Sequence, residues 1–365
     1  MAKGLIEGTS LGNLRNVSSI ISAGLISHRS TGKSIPQRVI GVLQMSQRPS
    51  RLASLALPFA LALCASCRAP EALAPARWRL GPQVGVLDLL SVYFIDESNG
   101  WAVGGIDIKG AGGVIHRTTD GGLSWRPIAR TPEILTSVVF INSNTGWVAG
   151  YAGRIDRTDD GGHTWRPQRA ELGAEILNSL CFINDSTGWA AGGAGLLLRT
   201  LNGGNSWEQI QTGRVEDFWT VKFSSPDKGI IVGEDGLIFS TSDGGRNWAP
   251  SPFRATAALM GLAISPNGRA VAVGLNGAVL VTDGGNQWTK VDSITNETLD
   301  AVASGGDNVF WAVGSNGTTI ETADGGLTWK HIEPVCSGDL FSLAMSGPSR
   351  GIAVGQRGCT QLLRN

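Results

Sequence analysis

The sequence contains few of the residues on which metal binding and nucleophilic catalysis most often depend. Among its 365 residues are four histidines, five cysteines and two tyrosines. No ligand spacing links the histidines, which are His28, His116, His163 and His331. A sialidase needs a tyrosine nucleophile beside a carboxylate, and neither Tyr93 nor Tyr151 has one nearby in sequence. The sequence therefore predicts no catalytic residue, no metal site and no cofactor.

Positive charge is also scarce once the N-terminal segment is set aside. Residues 1–67 hold seven Lys or Arg against one acid, which leaves 23 basic and 29 acidic residues, a net charge of −6, in the remainder. A protein that follows a phosphate backbone needs a basic stripe and a positive domain charge. The composition therefore argues against nucleic acid as a partner.

No hydrophobic run is long enough to be a membrane-spanning helix. The longest uncharged stretch near the N-terminus runs from Leu52 to Cys67, follows Arg48 and Arg51, and is interrupted by Pro58. These features are typical of a secretory signal. The sequence thus predicts export to the periplasm or cell envelope, or to the thylakoid lumen in a photosynthetic organism.

The end of this stretch resembles a bacterial lipoprotein signal. Ala65 and Ser66 precede Cys67, although Cys64 stands where that family usually has leucine. The resemblance implies lipidation of Cys67, and such an anchor is the only membrane contact that we expect. Residues 1–44 are either sequence upstream of a true start at Met45, which we favour, or an organelle transit peptide.

Glycine and tryptophan, by contrast, are abundant and recur at a regular interval. The chain has 51 glycines and 12 tryptophans. Seven apolar strands each carry a small residue at an equivalent position, 40 to 46 residues apart: Ser91, Ser137, Ser179, Thr220, Gly261, Ala301 and Ser342. This interval is typical of four-stranded propeller blades, with small side chains where the inner strands converge. We predict an all-β, seven-bladed propeller over residues 78–365, after a presequence over 1–67 and a linker over 68–77.

A second strand in each repeat resembles Gly100-Trp-Ala-Val-Gly104 and ends at a glycine that another glycine follows three residues later. Such pairs indicate tight hairpins with positive φ. The first blade departs from the pattern, because a longer loop runs from Gly105 to Gly113.

Six repeats then end in an Asp box, such as Thr118-Thr-Asp-Gly-Gly-Leu-Ser-Trp125. The box aspartates are Asp120, Asp160, Asp243, Asp283 and Asp324, with Asn202 in blade three, and the box tryptophans are Trp125, Trp165, Trp207, Trp248, Trp288 and Trp329. The carboxylate can accept backbone N–H groups within its turn, and the tryptophan can cover that turn. Catalysis or calcium binding is the alternative, but a residue repeated in six blades does not mark one active site. We predict a structural role.

The two ends of the chain complement each other. The seventh repeat lacks an Asp box, whereas the segment that starts at Trp78 resembles the one that starts at Trp165 after a box. We therefore expect residues 78–83 to supply the outer strand of the last blade, which closes the ring and removes exposed sheet edges. Cys336 and Cys359 both fall in this last repeat. The sequence is compatible with a disulfide between them and with two separate thiols.

The boxes and the Gly-Trp-Ala-Val-Gly strands resemble the photosystem II stability/assembly factor family across residues 78–365. In its photosynthetic members, that resemblance implies a non-enzymatic factor, lumenal or periplasmic, that binds a newly made reaction-centre subunit through an arginine-rich surface, which makes a membrane-complex subunit one candidate partner here. Asp boxes also occur in sialidases, xyloglucan-active hydrolases and sortilin-type receptors. We therefore expect a monomer that binds a protein or peptide partner.

Arginine recurs directly before the Asp box in three consecutive blades, at Arg117, Arg157 and Arg199, and Arg154 is close by. Blades four to six have Ser240, Leu280 and Glu321 instead. Such a patch could hold an acidic peptide by bidentate contacts. Solvated strand ends paired with acids are the alternative.

The face opposite the Asp boxes is the other candidate surface. Tyr151, in a hairpin, and Trp219, at the start of an inner strand, could contact a partner there. A carbohydrate-active propeller remains the alternative function, because several carboxylates lie in or beside loops. These are Asp96, Asp185, Asp217, Asp227, Glu234, Asp235 and Asp300.

Overall fold

The computed structural model describes residues 77–105, 112–168, 175–284 and 286–364. The predictions on the signal peptide, on a start at Met45 and on lipidation of Cys67 lie outside the described residues. Within those ranges, no helix has the length and apolar character that crossing a membrane requires.

Seven four-stranded antiparallel sheets form the fold, so the predicted seven-bladed propeller is confirmed. Blades one and two consist of β2 (Leu89–Phe94), β3 (Gly100–Gly104), β4 (Gly113–Thr118) and β5 (Arg126–Thr131), then β6 (Leu135–Phe140), β7 (Gly146–Gly150), β8 (Ile155–Thr158) and β9 (Arg166–Pro167). Blades three and four consist of β10 (Leu177–Phe182), β11 (Gly188–Gly192), β12 (Leu197–Thr200) and β13 (Glu208–Gln209), then β14 (Phe218–Phe223), β15 (Gly229–Gly233), β16 (Ile238–Thr241) and β17 (Ala249–Pro250).

Blades five and six repeat the pattern with β18 (Leu259–Ile264), β19 (Ala270–Gly274), β20 (Val279–Thr282) and β21 (Thr289–Val291), then β22 (Leu299–Ser304), β23 (Phe310–Gly314), β24 (Thr319–Thr322) and β25 (Lys330–Ile332). Blade seven combines β26 (Leu340–Gly347), β27 (Arg350–Gly355) and β28 (Thr360–Arg364) with β1 (Arg77–Leu80). The first strand of each blade is the innermost one.

The ring closes as the sequence predicts. β1 lies antiparallel to β28, with Trp78 opposite Leu363. Trp78 is buried and meets Trp311 of blade six edge-on, with ring centroids 5.6 Å apart. Cys336 and Cys359 form a disulfide with their Cα atoms 6.6 Å apart, which ties the connection before blade seven to its third strand.

Backbone hydrogen bonds assign the turns to two opposite faces. At one face the Asp-box turn bonds the turn between the first two strands, as Gly161 N–H donates to the Asn144 carbonyl at 2.8 Å. At the other, the hairpin between the second and third strands bonds the connection from the preceding blade, as Tyr151 N–H donates to Ile134 at 2.9 Å. We call these the Asp-box face and the loop face.

The small residues of the inner strands also form hydrogen bonds. Ser137 Oγ accepts the Leu180 N–H of the next blade at 3.0 Å, and Ser91, Ser179 and Ser342 make the equivalent bond. Blades five and six have Gly261 and Ala301 here and lack this hydroxyl. The predicted small residues therefore also form a series of hydrogen bonds between neighbouring blades. This series is interrupted at blades five and six.

The two glycines of each tight hairpin serve different purposes. Gly150 is extended, with φ −177°, and a Cβ there would collide with the Ile134 carbonyl oxygen. Ala152 and Gly153 are left-handed, with φ of 52° and 66°. Only the second glycine of the pair therefore has the predicted positive φ.

Candidate functional site

The Asp boxes are closed by bonds within each turn. Thr118 Oγ1 accepts Gly122 N–H at 2.9 Å and donates to Asp120 Oδ1 at 2.7 Å, and the Ser124 hydroxyl donates to Asp120 Oδ2 at 2.6 Å. In blade two, hydrogen bonds from the side chain and amide of Thr164 lower the pKa of Asp160 to about 2. Asn202 takes the same place in blade three and accepts Ser206 N–H at 2.9 Å.

Blade five departs from this pattern. Its sheet register places Thr282 opposite Ala270, as Thr158 stands opposite Gly146, so Asp283 follows the strand directly. Asp283 forms an ion pair with Arg269 at 2.5 Å. The residue in register with Arg117 is therefore Val281, and the alignment of Leu280 in the sequence analysis was wrong by one residue.

The arginines before the boxes lie between blades. Arg157 stands over the Trp147 ring at 5.2 Å and donates to the Gly203 carbonyl of the next blade at 3.1 Å. Arg117 lies over Trp101 at 5.3 Å and reaches Gly161 in the same way at 3.4 Å. Arg199 is 8% exposed. Arg117 and Arg157 thus link neighbouring blades on the Asp-box face, in contacts that we call staples, and Arg157 also pairs with Asp159 at 2.8 Å, which is the kind of acid contact that the alternative expects. Arg199 is buried and is therefore not a solvated strand end. Partner binding by them stays a prediction.

Two staples have no counterpart in the predicted arginine register. Arg364 donates to the Gly121 carbonyl at 2.7 Å and links blades seven and one, and Arg269 donates to Gly325 at 2.6 Å and links blades five and six. Both arginines start from other strand positions but reach the same Asp-box glycine. The shared feature is the target carbonyl, which sequence spacing does not reveal.

Arg154 lies on the loop face and is held by two carboxylates. Its guanidinium contacts Glu133 at 2.5 Å and Asp156 at 2.6 Å. Burial raises the pKa of Asp156, and the charge of Arg154 opposes that effect. Tyr151 and Trp219 are partly buried on the same face, and burial raises the pKa of Tyr151.

The loop face is acidic among the described residues. Its connections carry eleven acids against four arginines: Asp88, Glu133, Glu175, Glu216, Asp217, Glu234, Asp235, Asp292, Glu297, Glu333 and Asp339 against Arg154, Arg214, Arg254 and Arg357. Some of the acids support hairpins, as where Asp217 Oδ1 accepts Ala194 N–H at 2.8 Å. Among the described residues, this face thus lacks the arginine-rich character that the resemblance implies.

Asp300 lies on the inner strand of blade six and not in a connection of the loop face. It precedes the small residue of the blade-six inner strand, where blade three has Asn178, whose Nδ2 donates to the Phe218 carbonyl at 2.9 Å. Oδ2 of Asp300 is buried and has no hydrogen-bond partner. Burial, aided by the charge of Asp339, raises the pKa of Asp300 to about 8. Sequence reasoning named Asp300 only as one of seven loop acids.

The acids considered for sugar chemistry fall on two opposite faces, although Glu234 Oε2 accepts the Asp217 N–H at 3.2 Å on the loop face. Asp96, Asp185 and Asp227 lie in turns of the Asp-box face, whereas Asp217, Glu234, Asp235 and Asp300 lie on or beside the loop face. Nor does any group of three or more His, Cys, Asp or Glu in the described part of the chain have a metal-binding arrangement.

Comparisons with known proteins agree with this geometry. The family model described as photosynthesis system II assembly factor YCF48 matches residues 127–215. YCF48 bound to D1 peptide superposes with a TM-score of 0.65 at 21% identity, covering 80% of this chain and 97% of that one. YCF48 from Cyanidioschyzon merolae gives 0.64 at 20% identity, covering 79% and 99%.

A glycoside hydrolase is also similar in fold. The GH74 xyloglucanase from Xanthomonas campestris gives a TM-score of 0.60 at 14% identity, covering 78% of this chain and 53% of that one. No curated protein matches the chain in sequence. Together with the blade count and the Asp boxes, the YCF48 matches confirm the resemblance of this chain to the photosystem II assembly factor-like family of Asp-box (BNR) propellers.

Proposed function

We propose that this chain is an exported, non-enzymatic scaffold that binds a protein or peptide partner on its loop face and assists the assembly of a membrane complex. The similar fold of YCF48 bound to D1 peptide supports a peptide partner. The signal-like segment before residue 67 supports export. We further propose that the protein acts as a monomer, because β1 of the same chain supplies the outer strand of blade seven and the ring needs no strand from a second copy.

The observation that carries this proposal is a structural difference between the two faces. On the Asp-box face, turns bond to turns, and arginines such as Arg157 are held by the next blade. The innermost strands of the seven blades surround a central channel. On the loop face, longer connections such as residues 210–217 and 292–298 place charged side chains around the mouth of this channel. A rigid ring that presents irregular loops is a common arrangement for recognition.

A carbohydrate-active function is the second candidate, and one observation favours it. Asp300 and Asp339 are neighbouring acids, and Asp300 has a raised pKa of about 8. A neutral acid beside a second carboxyl group is an arrangement that general acid catalysis uses. The GH74 likeness shows the fold alone. We expect no release of reducing sugar from xyloglucan, and release that Asp300→Asn abolishes would reverse this assignment.

Crosslinking from the two faces tests the scaffold proposal. Asn296 and Asn308 are both exposed and flank β22 at its loop-face end and its Asp-box end. A photoreactive amino acid placed at each position is exposed to labelled D1 peptide and to a scrambled peptide of the same composition. We expect crosslinks from position 296 with the native peptide only. Crosslinks mainly from position 308, or none with either peptide, would contradict the proposal.

A further inference from the structure

We infer that the channel mouth at blades six and seven, formed by Asp300 and Asp339, receives a lysine or arginine side chain of the bound partner. This inference rests on the proposed function and specifies the chemistry of the partner. It would make the recognised segment basic, the opposite of the acidic peptide that an arginine patch would select.

The first argument is an acceptor without a donor. At the position of Asp300, the inner strands of blades two and three carry Thr136 and Asn178, which donate to carbonyls of the next blade. A carboxyl group can donate to such a carbonyl only while it is protonated, and an ionised carboxylate has no proton to donate. Oδ2 of Asp300 is buried without a partner, so the ionised form is costly unless a ligand supplies a donor.

The second argument is the absence of a compensating cation. β22 packs most closely against β18, β19, β23, β26 and the hairpin Leu275–Gly277. None of these described elements carries an ionisable side chain. Asp339, just before β26, is the charged neighbour that acts on Asp300, and it has the same sign. The described elements around Asp300 therefore supply no cation that would pair with its ionised form.

The third argument is the character of the walls. Met260 and Phe341 occupy the position of Asp300 in blades five and seven, and all three side chains are partly exposed. Apolar walls beside a carboxyl group suit the long methylene stem and charged end of lysine or arginine. A phenyl ring beside the stem also attracts the cation.

Charge complementarity favours the same occupant. The connections that lead into blades six and seven, residues 292–298 and 333–339, contain four acids and no basic residue. Their summed field attracts a basic segment toward the channel mouth before contact. An acidic segment would be repelled there.

Binding of a cation should release a proton. With a pKa of about 8, Asp300 is largely protonated at pH 7, and Asp339 is the one charged group found to act on it. A cation favours the ionised form and lowers that pKa. The affinity for a basic peptide should therefore rise as the pH increases from 6 to 8, with a proton displaced into the buffer.

Isothermal titration with defined peptides tests the inference. The probes are short acetylated and amidated glycine-serine peptides that carry arginine, lysine, citrulline or glutamate. Each is titrated into the whole protein at pH 6, 7 and 8, in two buffers that differ in ionisation enthalpy. We expect binding of the arginine and lysine peptides only, with proton release at pH 7.

Matched variants identify the site. Asp300→Asn should weaken binding of the arginine peptide at least about tenfold and remove the proton release, because the buried charge pair is lost. Asp307→Asn changes an exposed acid at the opposite end of the same inner strand and should do neither. Thermal unfolding of both variants shows whether each remains folded.

The outcomes separate the inference from the proposed function. Unchanged binding and proton release in a folded Asp300→Asn variant would overturn the inference. Binding of D1 peptide to the loop face without binding of any basic probe would also overturn it, while the scaffold proposal stands. Failure of every peptide, D1 peptide included, would count against both.

Discussion

The interfaces between the first four blades differ from those that follow. Three tryptophans in the second strands stack on phenylalanines of the next blade, with ring centroids 3.5 to 3.7 Å apart: Trp101 on Phe140, Trp147 on Phe182 and Trp189 on Phe223. Each phenylalanine also meets a box tryptophan edge-on, as Phe140 meets Trp165 at 6.1 Å. The equivalent pairs after blade four are Ile230 with Ile264, Val271 with Ser304 and Trp311 with Met345, so the tryptophan returns in blade six but without a phenylalanine to stack on.

This difference shows that one repeat produces two kinds of interface. In blades one to four, aromatic stacks fill the space between sheets. In blades four to seven, Ile264 and Ser304 line, together with the stacked Phe223, an open cavity of about 460 Å³ at the Asp-box end of the channel. The unpaired Asp300 lies in the same half. Aromatic packing therefore fixes the interfaces of blades one to four, which we call the packed half. The interfaces of blades four to seven have fewer such contacts, and we call this part the freer half.

The largest expected contrast comes from truncating one residue in each half. Trp147 is fully buried and donates to the Gly203 carbonyl at 3.0 Å. Trp147→Ala should lower the free energy of unfolding by about 3 to 5 kcal/mol, and Val271→Ala, at the equivalent position, by about 1 to 2 kcal/mol. Denaturant unfolding measures both, and an equal or larger loss for Val271→Ala would break the comparison.

Asp300, which lies in the half formed by blades four to seven, should make the stability of the protein depend on pH. Its pKa is about 8 in the folded protein and near 3.8 when unfolded, so the folded state binds the extra proton between those values. Stability is therefore fully present below about pH 4 and falls as the pH rises toward 8. Asp300→Asn should remove this slope and stabilise the protein at pH 8 by roughly 2 to 5 kcal/mol. Parallel pH profiles of wild type and variant, from thermal unfolding, would refute this.

The arginine staples should contribute less than the stacks that they cover. Arg157→Gln loses the contact with Trp147 and the ion pair with Asp159, and it weakens the bond to Gly203. We expect a loss of about 1 kcal/mol in the free energy of unfolding. Arg166→Gln, at an exposed neighbouring position, is the control and should change stability by less than about 0.5 kcal/mol. If the two substitutions cost the same, the staple is not a stabilising contact.

Adding an aromatic ring to the half formed by blades four to seven should have the smallest effect on stability. Ser304→Phe places an aromatic ring in the cavity, at the position of Phe140 and Phe182. The added burial should be largely offset by the lost bond between the serine hydroxyl and the Gly306 carbonyl, leaving a gain of at most about 1 kcal/mol. Thermal unfolding would show it, and a marked loss would mean that the space is not available to the ring.

The repeat made the fold readable from sequence. Strand patterns, hairpin glycines and Asp boxes are local features, so seven copies in register predict seven blades, and the missing last strand predicts closure by Trp78. The arginine contacts were not readable, because Arg117 and Arg157 bond glycines more than 40 residues away. The burial of the Asp300 side chain could not be predicted from the sequence either. The bulge between Leu299 and Ala301 breaks the alternation from which side-chain direction is inferred.

Amide hydrogen exchange, followed strand by strand in the free protein, tests the central claim most directly. The account predicts slower exchange for β7 and β11, which carry the stacked tryptophans, than for β19, which has Val271 in their place. Equal protection of the three strands, or greater protection of β19, would contradict the division of the ring into a packed half and a freer half.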